Sequence, residues 1–241
     1  MSNDDPDQFA EWQFDRMVAA GRLLAVGEVE SGIAIIEEVL KVNPEHIDAL
    51  NWMGSIRCLE GLTQEARQFS DRAVAVAPNH PGVLTNRGNI LIQVGDFNGA
   101  VEAYRKAIHA DVEAYGAMNN LAALLHSRGL NDDAEFFLRR VLEARPRFGL
   151  AHYLLANVLA EQRRFDESIL HAKLAAEHAP QGAVSVALMA AAYVKNQDLE
   201  GAVEVVRRWL AASPEDKEAQ HLLVVLEGKE TPERAPDGYV E

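Results

Sequence analysis

The sequence predicts an all-α chain, a solenoid of six helix–turn–helix hairpins closed by a terminal helix. Three observations predict it. Pro44, Pro78, Pro146, Pro180 and Pro214 are separated by 34, 68, 34 and 34 residues, with the skipped rung on Val112 beside Asp111. A fixed period of this size marks stacked hairpins, each of which buries its apolar stripe only against its neighbours. Small residues keep the same beat in two columns: Ala20, Gly54, Gly88, Ala122, Ala156 and Ala190, then Gly32, Ala66, Ala100, Ala134, Ser168 and Ala202. Such residues let one helix backbone approach the next. Glycines recur at Gly27, Gly61, Gly95 and Gly129, where a helix must stop and φ can turn positive. No stretch shows the alternation of a half-buried strand.

The elements follow in order. Phe9, Trp12 and Phe14 set the first helix to begin near Asp7 and shield the N-terminal hairpin, with residues 1–12 as its extension. The hairpins fall at 13–46, 47–80, 81–114, 115–148, 149–182 and 183–216. Asn43-Pro44 and Ser213-Pro214 read as a capping side chain before a first-turn proline, whose missing N–H costs nothing there. Ala219, Leu222, Leu223 and Leu226 share one helical face, which makes 217–228 a capping helix. Ser213 and Asp216 bracket its start as a capping box, and Lys217, Glu218 and Gln220 turn to water. Residues 229–241, broken by Pro232 and Pro236, read as a flexible tail or linker.

The run Asn86-Arg87-Gly88, Gly95-Asp96-Phe97, Ala100, Tyr104 and Ala107, with Pro78 ahead of it, resembles the tetratricopeptide repeat consensus nearly throughout. Asn119-Asn120-Leu121-Ala122, Gly129, Ala134 and Leu138 follow it closely. The resemblance covers Gln13 to Asp216. It implies a right-handed superhelical solenoid whose concave groove, lined by the first helix of each repeat, receives a protein partner. Four positions depart from the pattern: Ser70 and Ala172 replace bulky residues, Trp209 a small one and Arg87 a leucine. Arg87 should turn outward or meet an acid, because an unpaired buried charge costs about 3–5 kcal/mol.

The groove-facing columns of that register hold Asn51, Asn86, Asn89, Asn119, Asn120 and Asn157, with Tyr153, His126, Gln93 and Glu161 close by. An amide offers a donor and an acceptor together. Such a row can grip the main chain of an extended polypeptide whatever its side chains; the plainer reading is that the asparagines cap helices or hydrate an exposed face. Family members that dock chaperone tails clamp a terminal carboxylate with cations and asparagines. The matching positions here are Thr85, Asn89, Asn120, Leu150 and Leu154, so both asparagines are present and the cations are absent. Acidic chaperone tails are therefore not expected to bind.

Composition narrows the function further. The formal net charge is −14, from 23 Lys and Arg against 37 Asp and Glu, which opposes nucleic acid binding. Arg139, Arg140, Arg145, Arg147, Arg163 and Arg164 gather in the middle; Arg105-Lys106, Arg139-Arg140 and Arg207-Arg208 share one column on the outer helix, where solvated charge is normal. The lone Cys58, beside Ile56 and Leu59, reads as a small buried hydrophobe. The acidic N-terminus has no apolar secretory core and no run approaches the ~20 apolar residues of a membrane span, so the cytoplasm is expected.

Catalytic patterns are missing: no glycine-rich phosphate loop, Gly-x-Ser-x-Gly elbow or His-Glu-x-x-His occurs. His171 and His178 share a helical face without further ligands, and Asp132-Asp133 suits a helix N-terminus. No enzyme activity, metal or cofactor is expected. The tail Glu230–Val240 resembles the junction at which bacterial tetratricopeptide arrays precede an S-adenosylmethionine-dependent methyltransferase domain. The first expectation is a scaffold binding a protein segment in its groove; a third reading is weak self-association through apolar ends such as Trp12 or Trp209. The alternative is the substrate-docking portion of such a methyltransferase.

Overall fold

A computed structural model describes residues 6–178, 187, 190–191, 193–194, 198–212 and 214–228. The tail segment Glu230–Val240 and Ser213 lie outside the described residues. The described residues form twelve α-helices and no strand. They divide into two units, Met1–Asn120 and Leu121–Glu241.

The first unit contains α1 (Pro6–Ala25), α2 (Val29–Val42), α3 (Ile47–Leu59), α4 (Thr63–Val76), α5 (Pro81–Gln93), α6 (Phe97–Ala110) and the start of α7 (Tyr115–Ser127). α1 pairs with α2, α3 with α4 and α5 with α6, while α3 also packs on α5. Its core joins Met17, Ala20, Ile36, Val39, Ala49, Met53 and Ile56, continued by Leu50, Ala73 and Val83. The second unit contains the rest of α7, α8 (Asn131–Ala144), α9 (Gly149–Glu161), α10 (Phe165–His178), α11 (Leu199–Ala212) and α12 (Lys217–Leu226). There α9 packs on α8 and α10, and α12 on α11. Ala156, Ala172, Ala190, Ala202, Val206 and Ala219 form a core on which Leu222, Leu223 and Leu226 of α12 close.

The 34-residue beat survives in the backbone. α2, α4, α6, α8, α10 and α11 begin at Val29, Thr63, Phe97, Asn131, Phe165 and Leu199, each one period after the last. The turn before each of the first five is a repeated αL stop. Gly27, Gly61, Gly95 and Gly129 have φ of 85°, 77°, 82° and 73°. The following N–H reaches back to a carbonyl five residues earlier, as in Leu62 N to Arg57 O (2.8 Å) and Asp96 N to Leu91 O (2.9 Å). This closes the orphan carbonyls of the preceding helix. In the fifth copy the αL position is held by Arg163, at φ 63°.

The small columns mark close crossings. A Cβ on Gly88 would fall 2.7 Å from Tyr104 Cδ1, whose ring is fully buried. Ser168, also fully buried, donates from Oγ to Ala156 O at 2.7 Å, tying α10 to α9.

Several sequence expectations need correction. Pro44 is not in a first helical turn: α2 ends at Val42, Asn43 is its C-cap, and α3 begins at Ile47. The proline stops one helix rather than starting the next. The N-cap is His46, whose Nδ1 accepts from Ala49 N at 3.3 Å; His80 caps α5 likewise, with Pro81 in the first turn. At α12 the cap is Asp216, which accepts from Ala219 N at 3.0 Å. Phe9 stacks with Trp12, and Trp12 packs on the first core, but Phe14 points out and is 68% exposed. Cys58 is only half-buried, and desolvation pushes its thiol pKa up.

Two of the departures from the repeat pattern find partners, while the Oγ of Ser70 is buried without one. Arg87 pairs with Asp71 of α4. Trp209 Nε1 donates to Asp216 Oδ2 at 2.9 Å, so the large ring is held against the start of α12. Arg139 is not merely solvated: it bonds Glu135 at 2.7 Å and Glu167 at 3.0 Å, and Arg164 bonds the same two carboxylates.

Candidate functional site

In the first unit, the first helix of each pair carries two columns that meet their neighbours. One holds Trp52, Asn86 and Asn120; the other, three positions later, holds Gly21, Ser55 and Asn89. Each residue of the first column reaches the second-column residue 31 positions earlier. Ser55 Oγ donates to Asn86 Oδ1 at 2.9 Å, and Asn120 Nδ2 donates to Asn89 Oδ1 at 2.9 Å. Where the early partner is Gly21, the space is taken by the indole: a Cβ there would lie 3.0 Å from Trp52 Cη2. One seam thus recurs three times, with Trp over Gly, Asn on Ser and Asn on Asn.

The seam uses most of the amide valences. Asn86 Nδ2 also donates to the Asn51 carbonyl and to Asn51 Oδ1, both at 2.9 Å. Asn86 is therefore committed to the fold. Asn89 Oδ1 receives a second donor, the Tyr104 hydroxyl, at 2.7 Å. Burial pushes the Tyr104 pKa up, which keeps that hydroxyl a donor. Asn119 is only 2% exposed, its Oδ1 is buried without a hydrogen-bond partner, and it is closed to an arriving chain.

Two donors of the seam are left over. Among the described residues, Asn51 Nδ2 and Asn89 Nδ2 have no hydrogen-bond acceptor, while their oxygens are held by Asn86, Asn120 and Tyr104. Their oxygens anchor the amides, so both N–H₂ groups have fixed directions. Thr85 is not available in the same way, since its hydroxyl donates to Pro81 O of its own helix at 2.7 Å.

The second unit separates the remaining candidates. His126, at the end of α7, donates from Nδ1 to Asn131 Oδ1 (2.9 Å), and Asn131 Nδ2 donates to Glu161 Oε2 (3.0 Å). His126 therefore belongs to a helix-end cluster with Glu161. Tyr153 and Asn157 stand one turn apart on α9, half-buried, with Asn157 Nδ2 a long 3.4 Å from Tyr153 O. Sequence reading missed Ser55, Tyr104 and Asn131. Ser55 could have been found by looking for polar pairs spaced one repeat less three.

Comparison with known proteins agrees with the hairpin geometry. The tetratricopeptide repeat description matches residues 91–158 and, in a second form, residues 18–81 and 137–183. The chain belongs to the tetratricopeptide repeat family. The structure of PilW, a widely conserved type IV pilus biogenesis factor, superposes with a TM-score of 0.78 at 20% identity, covering 88% of this chain and 98% of that one. Pseudomonas aeruginosa pilF superposes at 0.75 with 17% identity, over 92% of this chain and 100% of that one. At such identities the likeness is one of fold. Human tetratricopeptide repeat protein 7B is 28% identical over 116 residues, which span 48% of this chain but only 14% of that protein. The tetratricopeptide fold supports a protein-interaction scaffold, and no helix among the described residues is long and apolar enough to cross a membrane.

Proposed function

We propose that this tetratricopeptide protein binds an extended polypeptide segment through the segment's main-chain carbonyls, on the face of α3 and α5 that carries Asn51 and Asn89. The observation that carries this reading is the pair of oriented, unused Nδ2 donors. An amide whose oxygen is already bound has little freedom left to lose, so a new bond from its nitrogen costs little ordering entropy. The recognition is uncharged: no cation stands at Thr85, Leu150 or Leu154 to receive a carboxylate. Tyr153 and Asn157 offer α9 a comparable polar and aromatic contact of its own. The protein acts as a scaffold without a catalytic step or cofactor of its own, and the net charge of −14 disfavours nucleic acid as partner. A cytoplasmic location belongs to the same proposal, as does weak self-association; Trp12 and Trp209 pack inward, which leaves the exposed Phe14 as its apolar contact.

The test must spare the seam. Alanine at these positions would remove the oxygens that Asn86, Asn120 and Tyr104 need. Asn51→Asp with Asn89→Asp keeps each accepting oxygen and turns the outward donor into an acceptor. For a peptide selected from a displayed library of random segments, affinity should fall roughly 5- to 100-fold, the worth of two hydrogen bonds. Unchanged affinity with unchanged stability moves the function to another face.

A further inference from the structure

The fifth hairpin breaks the apolar pattern in one place. Leu50, Leu84 and Met118, one period apart, are buried, and the next member of their column is His152, which is 4% exposed. The partner column on the second helix reads Phe69, Ala103 and Phe137, and its next member is His171. Two titratable rings thus replace two apolar side chains between α9 and α10.

Their hydrogen bonds fix the protons. His152 Nε2 lies 2.9 Å from Pro146 O, and a carbonyl can only accept, so Nε2 carries the hydrogen. The Nδ1 of the neutral ring is then a lone pair, and His171 Nδ1, 2.8 Å away, donates to it. A proton on His171 Nε2 would place an imidazolium in a half-buried site beside another histidine. The surroundings do not compensate. Glu135 of α8 and Glu167 of α10 face the pair, but Arg139 and Arg164 already hold both. The His178 ring, 6.3 Å from His152, adds a third imidazole on α10.

We propose that the His152–His171 pair is an acid-sensitive latch on the α9–α10 hairpin, closed while both rings are neutral and released by protonation. Burial, then His152 and Arg139, push the His171 pKa down to about 4 from 6.5. The opened hairpin binds protons near 6.5 and the closed one resists until about 4, so acid favours opening.

Amide hydrogen exchange of α9 and α10, expressed as protection factors, tests this. Between pH 7.5 and 5 protection should fall roughly 25-fold, the linkage expected of one histidine titrating at those two values. The double variant His152→Met with His171→Phe, which restores the pair found one repeat earlier, should flatten that dependence. Equal pH dependence in both proteins overturns the latch. Should the variant fail to fold, an NMR titration of the His171 ring in the unaltered protein decides: a midpoint near 4 supports the latch, and one at or above 6.5 overturns it.

Discussion

Arg163 shows how much one residue can reveal about a repeat. Its φ of 63° is the conformation that Gly27, Gly61, Gly95 and Gly129 hold in the first four copies, and its neighbour Arg164 N still closes on Leu159 O at 2.8 Å. The motif therefore forms without glycine, at the steric cost of a Cβ in the left-handed region. Arg163→Gly should stabilise the protein by about 1 kcal/mol, after allowing for the extra freedom of glycine in the unfolded chain. Chemical denaturation would show this as a raised midpoint at constant slope; a lowered midpoint would mean that the arginine side chain does more than fill the turn. Asn86 teaches the complementary lesson. Its residue type suggests recognition, yet its partners make it part of the seam.

At the scale of the helix, the six second helices begin alike but are not capped alike. Asp96 accepts from Gly99 N at 2.9 Å and Asp198 from Gly201 N at 2.7 Å. Leu62 and Leu130 occupy the same place before α4 and α8 and provide no side-chain cap. The backbone is already suitable, with φ and ψ of −80° and 63° at Leu62 against −86° and 73° at Asp96. Leu62 is 43% exposed, so little apolar burial would be lost. Leu62→Asp should raise stability by about 1 kcal/mol through the cap and the favourable placement of negative charge at a helix start. A thermal melt checks it, and a drop in Tm would show that Leu62 packs more than its exposure implies.

Over the whole molecule, the all-α class and the tetratricopeptide family were legible because period, small columns and turn glycines repeat and reinforce one another. What was not legible is what a single sequence column cannot carry. Whether Asn86 faces a partner or Ser55 depends on the helix next to it, and neither that distance nor the tautomers of His152 and His171 are written in spacing. Pro44 misled for a similar reason: a proline suits the residue after one helix as well as the first turn of the next. The titratable groups set the behaviour of the folded chain with pH. His171, lowered to about 4, favours the neutral form, so its contribution is complete above pH 6.5 and declines as pH falls toward 4. The loss amounts to about 1–2 kcal/mol by pH 5 once partial solvation is allowed for. Asp216 is held below its ordinary value by the Ala219 N–H and Trp209. Burial works to raise Glu135, but Arg139 and Arg164 outweigh it, and Arg164 lowers Glu167 most. The stabilisation from these carboxylates is present above their usual range and is lost only below about pH 4.5. Melting temperature should therefore be level above pH 7, slope down from about 6.5, and drop faster below 4.5; a flat profile to pH 5 would remove the histidine contribution.

The most direct measurement follows the side-chain amides themselves. In a ¹⁵N-labelled sample, adding the selected peptide should shift the Asn51 and Asn89 Nδ2–H resonances, while those of Asn86, spent on Asn51, stay in place. Movement of Asn86 with Asn51 and Asn89 silent would contradict a seam that holds its oxygens inward and keeps its free nitrogens for a guest.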